Sequence, residues 1–307
     1  MRHADAGYEL AIETARERGV DLPMANGRAQ LTFTYYQKNI HDLLLERTLA
    51  PSSGQQNQIF SSTSSMRNQG VEASLTVQPV QNRDLNWILR TTFYANKAKI
   101  TKLTVPTYQT GGFALSLGTF QIEQDSSPTQ IFGLVGTDAN GNPVAGKVGD
   151  ANPDFQMSFS SDVDFHQFTL GLLFDYKQGG DIINLTELLY DAGQNSVDYT
   201  EPGGGADRIT QLGAGFTQPY VQSGTYVKLR ELNLSYNLPQ HLVSSMFGRG
   251  MRNVRLSLTG RNLLRFTPYR GLDPEVSNFG RQAIVRNIDV APFPPSRSFF
   301  LSVDLGF

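Results

Sequence analysis

The chain has 307 residues, no cysteine, and 26 Lys+Arg against 28 Asp+Glu, a formal net charge of −2. That balance offers nucleic acid no basic surface, and the lack of cysteine removes disulfides, thiolate metal sites and cysteine nucleophiles together. No apolar run reaches the ~18 residues that a transmembrane helix needs, a test to which a barrel is blind because its lipid face takes only every second residue. Residues 1–8 contain no apolar stretch of the secretory kind, so export would require an N-terminus that this chain does not carry.

In chain order, residues 13–23 are highly charged and read as a strand, although 9–18 would also make a passable helix by propensity. From 28 to 45, Ala29, Leu31, Phe33 and Tyr35 share one face of a strand. Over 70–80, Val71, Ala73, Leu75 and Val77 oppose Glu72, Ser74, Thr76 and Gln78; over 85–98, Leu85, Trp87, Leu89 and Phe93 oppose Arg90. Phe155, Met157 and Phe159 alternate with Gln156, Ser158 and Ser160, and Phe168, Leu170, Leu172, Phe174 and Tyr176 with Thr169, Gly171, Asp175 and Lys177. In 226–238 the apolar parity switches from Val227 and Leu229 to Leu232, Leu234, Tyr236 and Leu238, and a β-bulge near Arg230 and Glu231 would restore one face. Val254, Leu256 and Leu258 then alternate with Arg255, Ser257, Thr259 and Arg261. The last strand places Phe299, Leu301, Val303, Leu305 and Phe307 opposite Ser302, Asp304 and Gly306.

The links between these segments alternate in length. Short ones fall at 24–27, 81–84, 164–167 and 239–250, and long ones at 46–67, 104–152, 181–221 and 266–295. Outer-membrane barrels join short periplasmic turns to long extracellular loops in this way, which sends the last strand down to end in the periplasm. The expected fold is all-β: an antiparallel transmembrane β-barrel segment of about nine strands. The competing architecture is a non-transport β-protein, a structural or surface-binding soluble sandwich.

Several segments, in order, resemble one family. They are Y-Y-Q-K-N-I-H-D-L-L-L (35–45), N-Q-G-V-E (68–72), G-D-A-N-P-D-F (149–155), T-Y-V-K-L-R-E-L-N-L-S-Y-N-L-P (225–239), G-R-N-L-L-R-F-T-P-Y-R-G-L-D-P-E-V-S (260–277) and F-P-P-S-R-S-F (293–299). The set resembles the C-terminal third of SusC/RagA-type TonB-linked outer-membrane transporters, over residues 20–307. The resemblance implies an outer-membrane location and a barrel of the roughly 22-stranded, plugged class, of which nine strands make roughly two-fifths. It implies as partners a SusD-like surface lipoprotein acting as a lid, the TonB complex through an N-terminal region, outer-membrane lipid, and a glycan or peptide cargo. Residues 1–307 would all belong to the C-terminal portion of such a barrel, with no counterpart of the family's plug domain or signal peptide.

No catalytic, metal or cofactor motif stands out. His3, His41, His166 and His241 have no ligand spacing, no G-x-S-x-G elbow occurs, and Gly203–Gly205 is followed by Ala206 and Asp207 without the lysine of a phosphate loop. Asp138, Asn140 and Asn142 superficially resemble a calcium loop but lack its glycine position and distal glutamate, and Asn140-Gly141 reads as a hairpin turn. Asn152-Pro153-Asp154 reads as a turn entering a strand. In G-L-D-P-E-V-S, Asp273-Pro274 is turn chemistry, Gly271 would permit a positive φ, and the loop either defines the fold or touches ligand.

Binding candidates sit on the long loops, where barrels carry recognition. Tyr108, Phe113, Phe120, Tyr190, Tyr199, Tyr220 and Tyr269 could stack on sugar rings or apolar side chains, or equally pack the loops together. Glu72, Arg90, Asp175, Lys177, Arg255, Arg261 and Asp304 would line the inner wall, touching cargo or pairing with the plug. The pattern Phe299, Leu301, Val303, Leu305 and Phe307 resembles the C-terminal assembly signal of outer-membrane proteins.

Overall fold

A computed structural model of the chain describes residues 12–48, 57–61, 63–247, 250–279 and 287–307. Residues 1–8, with His3, and the start of the helix considered over 9–18 lie outside them. The chain runs through β1 (Ile12–Met24), β2 (Ala29–His41), the short β3 (Leu44–Thr48) and β4 (Asn57–Ser61), then the long β5 (Ser65–Gln81) and β6 (Leu85–Lys102). Next come β7 (Tyr108–Ala114), β8 (Gly118–Ile122), β9 (Gln130–Thr137) and β10 (Pro143–Asp150), followed by β11 (Pro153–Phe165), β12 (Phe168–Gly179) and β13 (Asp181–Asn184). Helices α1 (Leu185–Ala192) and α2 (Gly205–Gly213) precede β14 (Val221–Ser223) and β15 (Tyr226–Asn237). Helix α3 (Gln240–Phe247), β16 (Asn253–Phe266), β17 (Ile288–Asp289) and β18 (Ser298–Gly306) complete the order.

Nine strands form one sheet in the order β1-β2-β5-β6-β11-β12-β15-β16-β18, every pairing antiparallel. These are the nine segments expected from alternation, and the charged 13–23 stretch is strand along its whole length. Among the described residues the sheet is open, with β1 and β18 at its ends. One strand expectation is corrected: 28–45 is not continuous, because Asp42 takes φ = 54° and Leu44 starts a separate hairpin of β3 with β4. Asp tolerates this left-handed backbone better than most residues.

Register assembles the apolar faces into a belt. Leu22 opposes Leu31, Leu31 opposes Leu75, and Val77 opposes Leu89. Farther along, Val163 opposes both Trp87 and Leu170, Leu170 opposes Leu234, Leu234 opposes Leu258, and Leu258 opposes Leu301. The bulge falls at Arg230: against β12 the pairing passes from Leu173–Glu231 straight to Phe174–Leu229. Val227 and Leu229 therefore stay on the face of Leu232, Leu234 and Tyr236.

Aromatic rows bound this belt. At the short-turn end the outward Trp87, Phe165, Phe168 and Tyr236 lie together, with the Phe168 and Tyr236 rings 4.7 Å apart. At the long-loop end Phe155 stacks 5.5 Å from Phe93 and meets Tyr176 edge-on at 5.5 Å. Phe168 and Tyr176 are eight residues apart on β12, about 27 Å along the strand, or about 21 Å along the barrel axis at a tilt near 40°. That matches the ~25 Å apolar band of a barrel. Among the described residues no helix is long and apolar enough to cross a membrane, so any crossing by them uses strands.

The buried core lies elsewhere. Three long loops converge on Phe120, Ile131 and Val148 from the first, Ile183, Leu185 and Val221 from the second, and Ile288 from the third. They contribute a four-stranded sheet, β10-β9-β8-β7, and a three-stranded one, β14-β13-β17. The Asn140-Gly141 turn does join β9 to β10: Gly141 has φ = 82°, Asp138 N–H donates to Asn142 O at 2.8 Å, and the Asp138 carboxylate accepts from the backbone N–H groups of Asn140 and Asn142.

The belt assignment predicts an asymmetry between neighbours. Leu258, half-exposed in mid-belt, opposes Leu234 and Leu301, whereas Thr259 faces the other way and accepts a hydrogen bond from Asn233. In the complete protein folded in a bilayer, Leu258→Arg should cost about 2–4 kcal/mol and Thr259→Arg far less. The yield of folded, heat-modifiable barrel measures both, and equal losses would refute the assigned parity.

Candidate functional site

The third long loop folds back onto the polar face of the wall. Its Asp273 carboxylate accepts from buried Lys228 on β15 at 2.7 Å and pairs with Arg265 on β16 at 3.3 Å. Glu275 pairs with Lys228 and, at 2.6 Å, with Arg230, which also holds Asp175 at 2.5 Å. Burial alone would raise the Glu275 carboxyl, but hydrogen bonds from Arg230, Lys228 and Tyr226 hold it at about 2. The D-P-E motif is thus a clamp between loop and wall, the fold-defining role of the two considered for it. The expectation for Gly271 is corrected: it has no positive φ, and glycine is needed there because a Cβ would come within 2.4 Å of the Tyr269 ring.

Other polar wall residues pair with one another. Arg90 meets Asp162 at 2.5 Å, Arg261 meets Glu231 at 3.0 Å, and the buried Lys177 lies 5.4 Å from the Tyr226 ring centre. Glu72, Arg255 and Asp304 lie on the same face, Arg255 opposite Asp304.

Above the wall, the loop layer is organised around buried Arg208 of α2. Its guanidinium donates to Asp191 of α1 at 2.7 and 2.8 Å and to Asp198 at 2.7 and 2.9 Å, with Glu187 at 3.4 Å. Tyr220 donates to Asp191 at 2.9 Å, and Tyr269 to Asp289, which also accepts from Thr186. Burial would raise Asp191, yet Arg208 and Tyr220 hold it below the usual carboxylate range; Arg208 lowers Asp198 in the same way. Burial and the neighbouring carboxylates push the Tyr220 and Tyr269 phenols up. None of these acids, nor Arg208, was singled out from the sequence. The signal that could have found α1 is Asn184-x-x-Glu187, a capping pattern in which the Asn184 side chain accepts from the Glu187 N–H at 3.0 Å.

A pocket of about 330 Å³ opens beside this network, lined in part by Glu187, Tyr190, Val197, Asp198, Arg270 and Leu272. The seven loop aromatics divide by burial. Phe120, Tyr220 and Tyr269 are 0%, 1% and 4% exposed and hold the layer together. Tyr190, 56% exposed, stands at the pocket; Phe113 is exposed with its ring 6.1 Å from Phe279; Tyr108 and Tyr199 are half-buried. Among the described residues no group of three or more His, Cys, Asp or Glu is arranged to hold a metal ion.

Removing one member of a buried ion pair strands the other, a loss of about 3–5 kcal/mol. Arg208→Met should therefore speed hydrogen exchange in α1 and α2 while the nine wall strands stay protected. Because the folded-state values of Asp191, Asp198 and Glu275 are depressed, their stabilisation is complete above the ordinary carboxylate range and is lost as pH falls through it, for Glu275 down to about 2. Exchange protection of the loop layer should accordingly be flat near neutrality and decline in acid; a decline above pH ~6 would contradict this network.

Comparison with known proteins agrees with this architecture. The family described as TonB dependent receptor-like, beta-barrel matches residues 7–263. TonB-dependent receptor P3 of Formosa agariphila is 29% identical over 357 residues, covering 98% of this chain and 35% of that protein. TonB-dependent receptor SusC of Bacteroides thetaiotaomicron is 21% identical, covering 96% of this chain and 32% of SusC. Among solved structures, the RagAB peptide transporter superposes with a TM-score of 0.74 at 20% identity, over 96% of this chain and 35% of that one. The RagAB peptide importer in its open-open state gives 0.71 at 21%, over 96% and 34%. The chain thus spans about a third of the length of these relatives. Wall, loops and ordered motifs agree: the chain belongs to the TonB dependent receptor-like β-barrel family of the outer membrane.

Proposed function

We propose that this chain is the C-terminal wall and loop roof of a TonB-dependent importer that takes up oligosaccharides or peptides. In this reading a SusD-like surface lipoprotein closes over the loop layer, and the TonB complex acts through a region outside this chain. The observation that carries the reading is the loop layer itself. Three loops share one hydrophobic core, are clamped to the polar wall by Asp273 and Glu275, and present a pocket edged by exposed Tyr190. A rigid, roofed polar face suits capture and passage of a solute better than chemistry on it. A soluble sandwich has little support, because the nine-stranded sheet leaves Leu256, Leu258, Leu301 and Val303 exposed where a second sheet would have to pack.

Tyr190 is the cargo contact this reading favours, with Phe113, Tyr108 and Tyr199 as further candidates. An isothermal screen of glycans and peptides against the complete transporter with its lid identifies the cargo. Tyr190→Ala should then weaken binding about two- to tenfold, the loss of one stacked aromatic, with α1 and α2 still protected from exchange. Unchanged affinity would remove Tyr190 from the site.

The terminal strand carries a second expectation. Phe299, Leu301, Val303, Leu305 and Phe307 are all exposed on one face, as an assembly signal requires. Deleting Phe307 from the complete protein should lower surface display without changing synthesis; normal display would end the assignment of an assembly role to this residue.

A further inference from the structure

Helix α3 occupies one of the four short links and is not needed to turn the chain, since other wall hairpins close within two to four residues. Its position is set by Val254. That residue has the parity of Leu256 and Leu258 and opposes Leu305, so its side chain lies on the apolar face, yet it is only 4% exposed where Leu256 and Leu258 are 40% and 51%. Helix α3 packs against β16 and buries its own Val243 completely. The helix therefore sits on the outside of the wall, at its short-turn rim, four residues after Tyr236 of the lower aromatic row.

His241 and Ser245 point away from Val243 and the wall, and four of the other positions divide between two flanks. At about 100° per residue, Leu242 and Met246 lie about 60–100° to one side of Val243, while Gln240 and Ser244 lie as far to the other. Leu242 and Met246 are 40% and 65% exposed, and none of the described residues covers them. The opposite flank is closed on itself: the Ser244 hydroxyl donates to the Gln240 carbonyl at 2.9 Å. Such a two-sided helix at the level of an aromatic girdle is built for the headgroup–acyl boundary, where amphipathic helices lie about 5–10 Å deep.

We propose that α3 is an interfacial lipid anchor, its Leu242–Met246 flank inserted among acyl chains of the periplasmic leaflet and its Gln240–Ser244 flank turned to water. The proposal commits to lipid because the flank continues the apolar belt through the buried Val243 and Val254. It rests on the reading that the belt itself meets hydrocarbon.

The test is photo-crosslinking in the complete protein assembled in the outer membrane. Met246, Leu242, Ser244 and, as a belt reference, Leu258 are each replaced by p-benzoyl-phenylalanine, which inserts into nearby C–H bonds; folding is checked by heat modifiability, and phospholipid adducts are read by mass spectrometry. The expected result is adducts at 258, at 246 or 242, and several-fold fewer at 244. Adducts at 258 with none at 246 and 242, or equal yields at 244 and 246, would overturn the anchor while leaving the belt intact. No adduct at 258 would overturn the belt, and the anchor with it.

Discussion

Every backbone N–H and C=O in a strand that meets hydrocarbon has to find its partner on a neighbouring strand, because no water is there to substitute and each orphan costs several kcal/mol. That requirement keeps the wall as one continuous antiparallel ladder and forbids a second sheet across it. With one face given to lipid and the other to water, the wall has no interior of its own. Its stability comes from the ladder and from the solvent match of each face. The buried core of Phe120, Ile131, Ile183 and Ile288 is consequently displaced into the loops, where water surrounds the assembly and apolar burial is favourable.

The loop layer meets the opposite difficulty. It brings acids together from its second and third loops, and isolated buried carboxylates would be costly. Arg208 resolves this at one point by presenting its planar fork to Asp191 and Asp198 at once, a geometry that a lysine could not reproduce. Lys228 and Arg230 do the same for Asp273 and Glu275, with Tyr226 between them, its ring 4.8 Å from the Lys228 ammonium. Such networks contribute less net energy than their short distances suggest. Their value is positional, since each carboxylate has one place where it is satisfied, and the loops are held over the wall accordingly.

The wall was legible in the sequence and the roof largely was not. Alternation is a local code, so Val71–Glu72, Leu170–Thr169 and Leu258–Thr259 each declare a face without knowing their neighbours, and even the bulge at Arg230 is written in a parity switch. The loops obey no period. For Phe120, Tyr220 and Tyr269 the sequence leaves recognition and loop packing equally open, and only the meeting of three loops decides for packing by burying them. Arg208 meets Asp191 and Asp198, and Asp289 meets Thr186 and Tyr269, over separations that no local pattern records. The break at Asp42 and the crowding at Gly271 likewise depend on backbone paths set elsewhere. Of the binding candidates, Tyr190 is left standing at a pocket by elimination that needed the packed layer.

The tip of the β9–β10 hairpin illustrates a freedom that follows from this division. Asp138 ties the turn with its own carboxylate, and a Cβ at Gly141 would meet no neighbour within 4 Å. The ladder below is anchored by Phe120 and Ile131, well inside the layer. Residues added at this tip would lengthen an exposed loop at a small entropic cost, disturbing neither the core nor the wall. If the proposed importer turns its long loops to the cell exterior, the tip is a place where antigenic character or an inserted tag can change without touching the core or the wall.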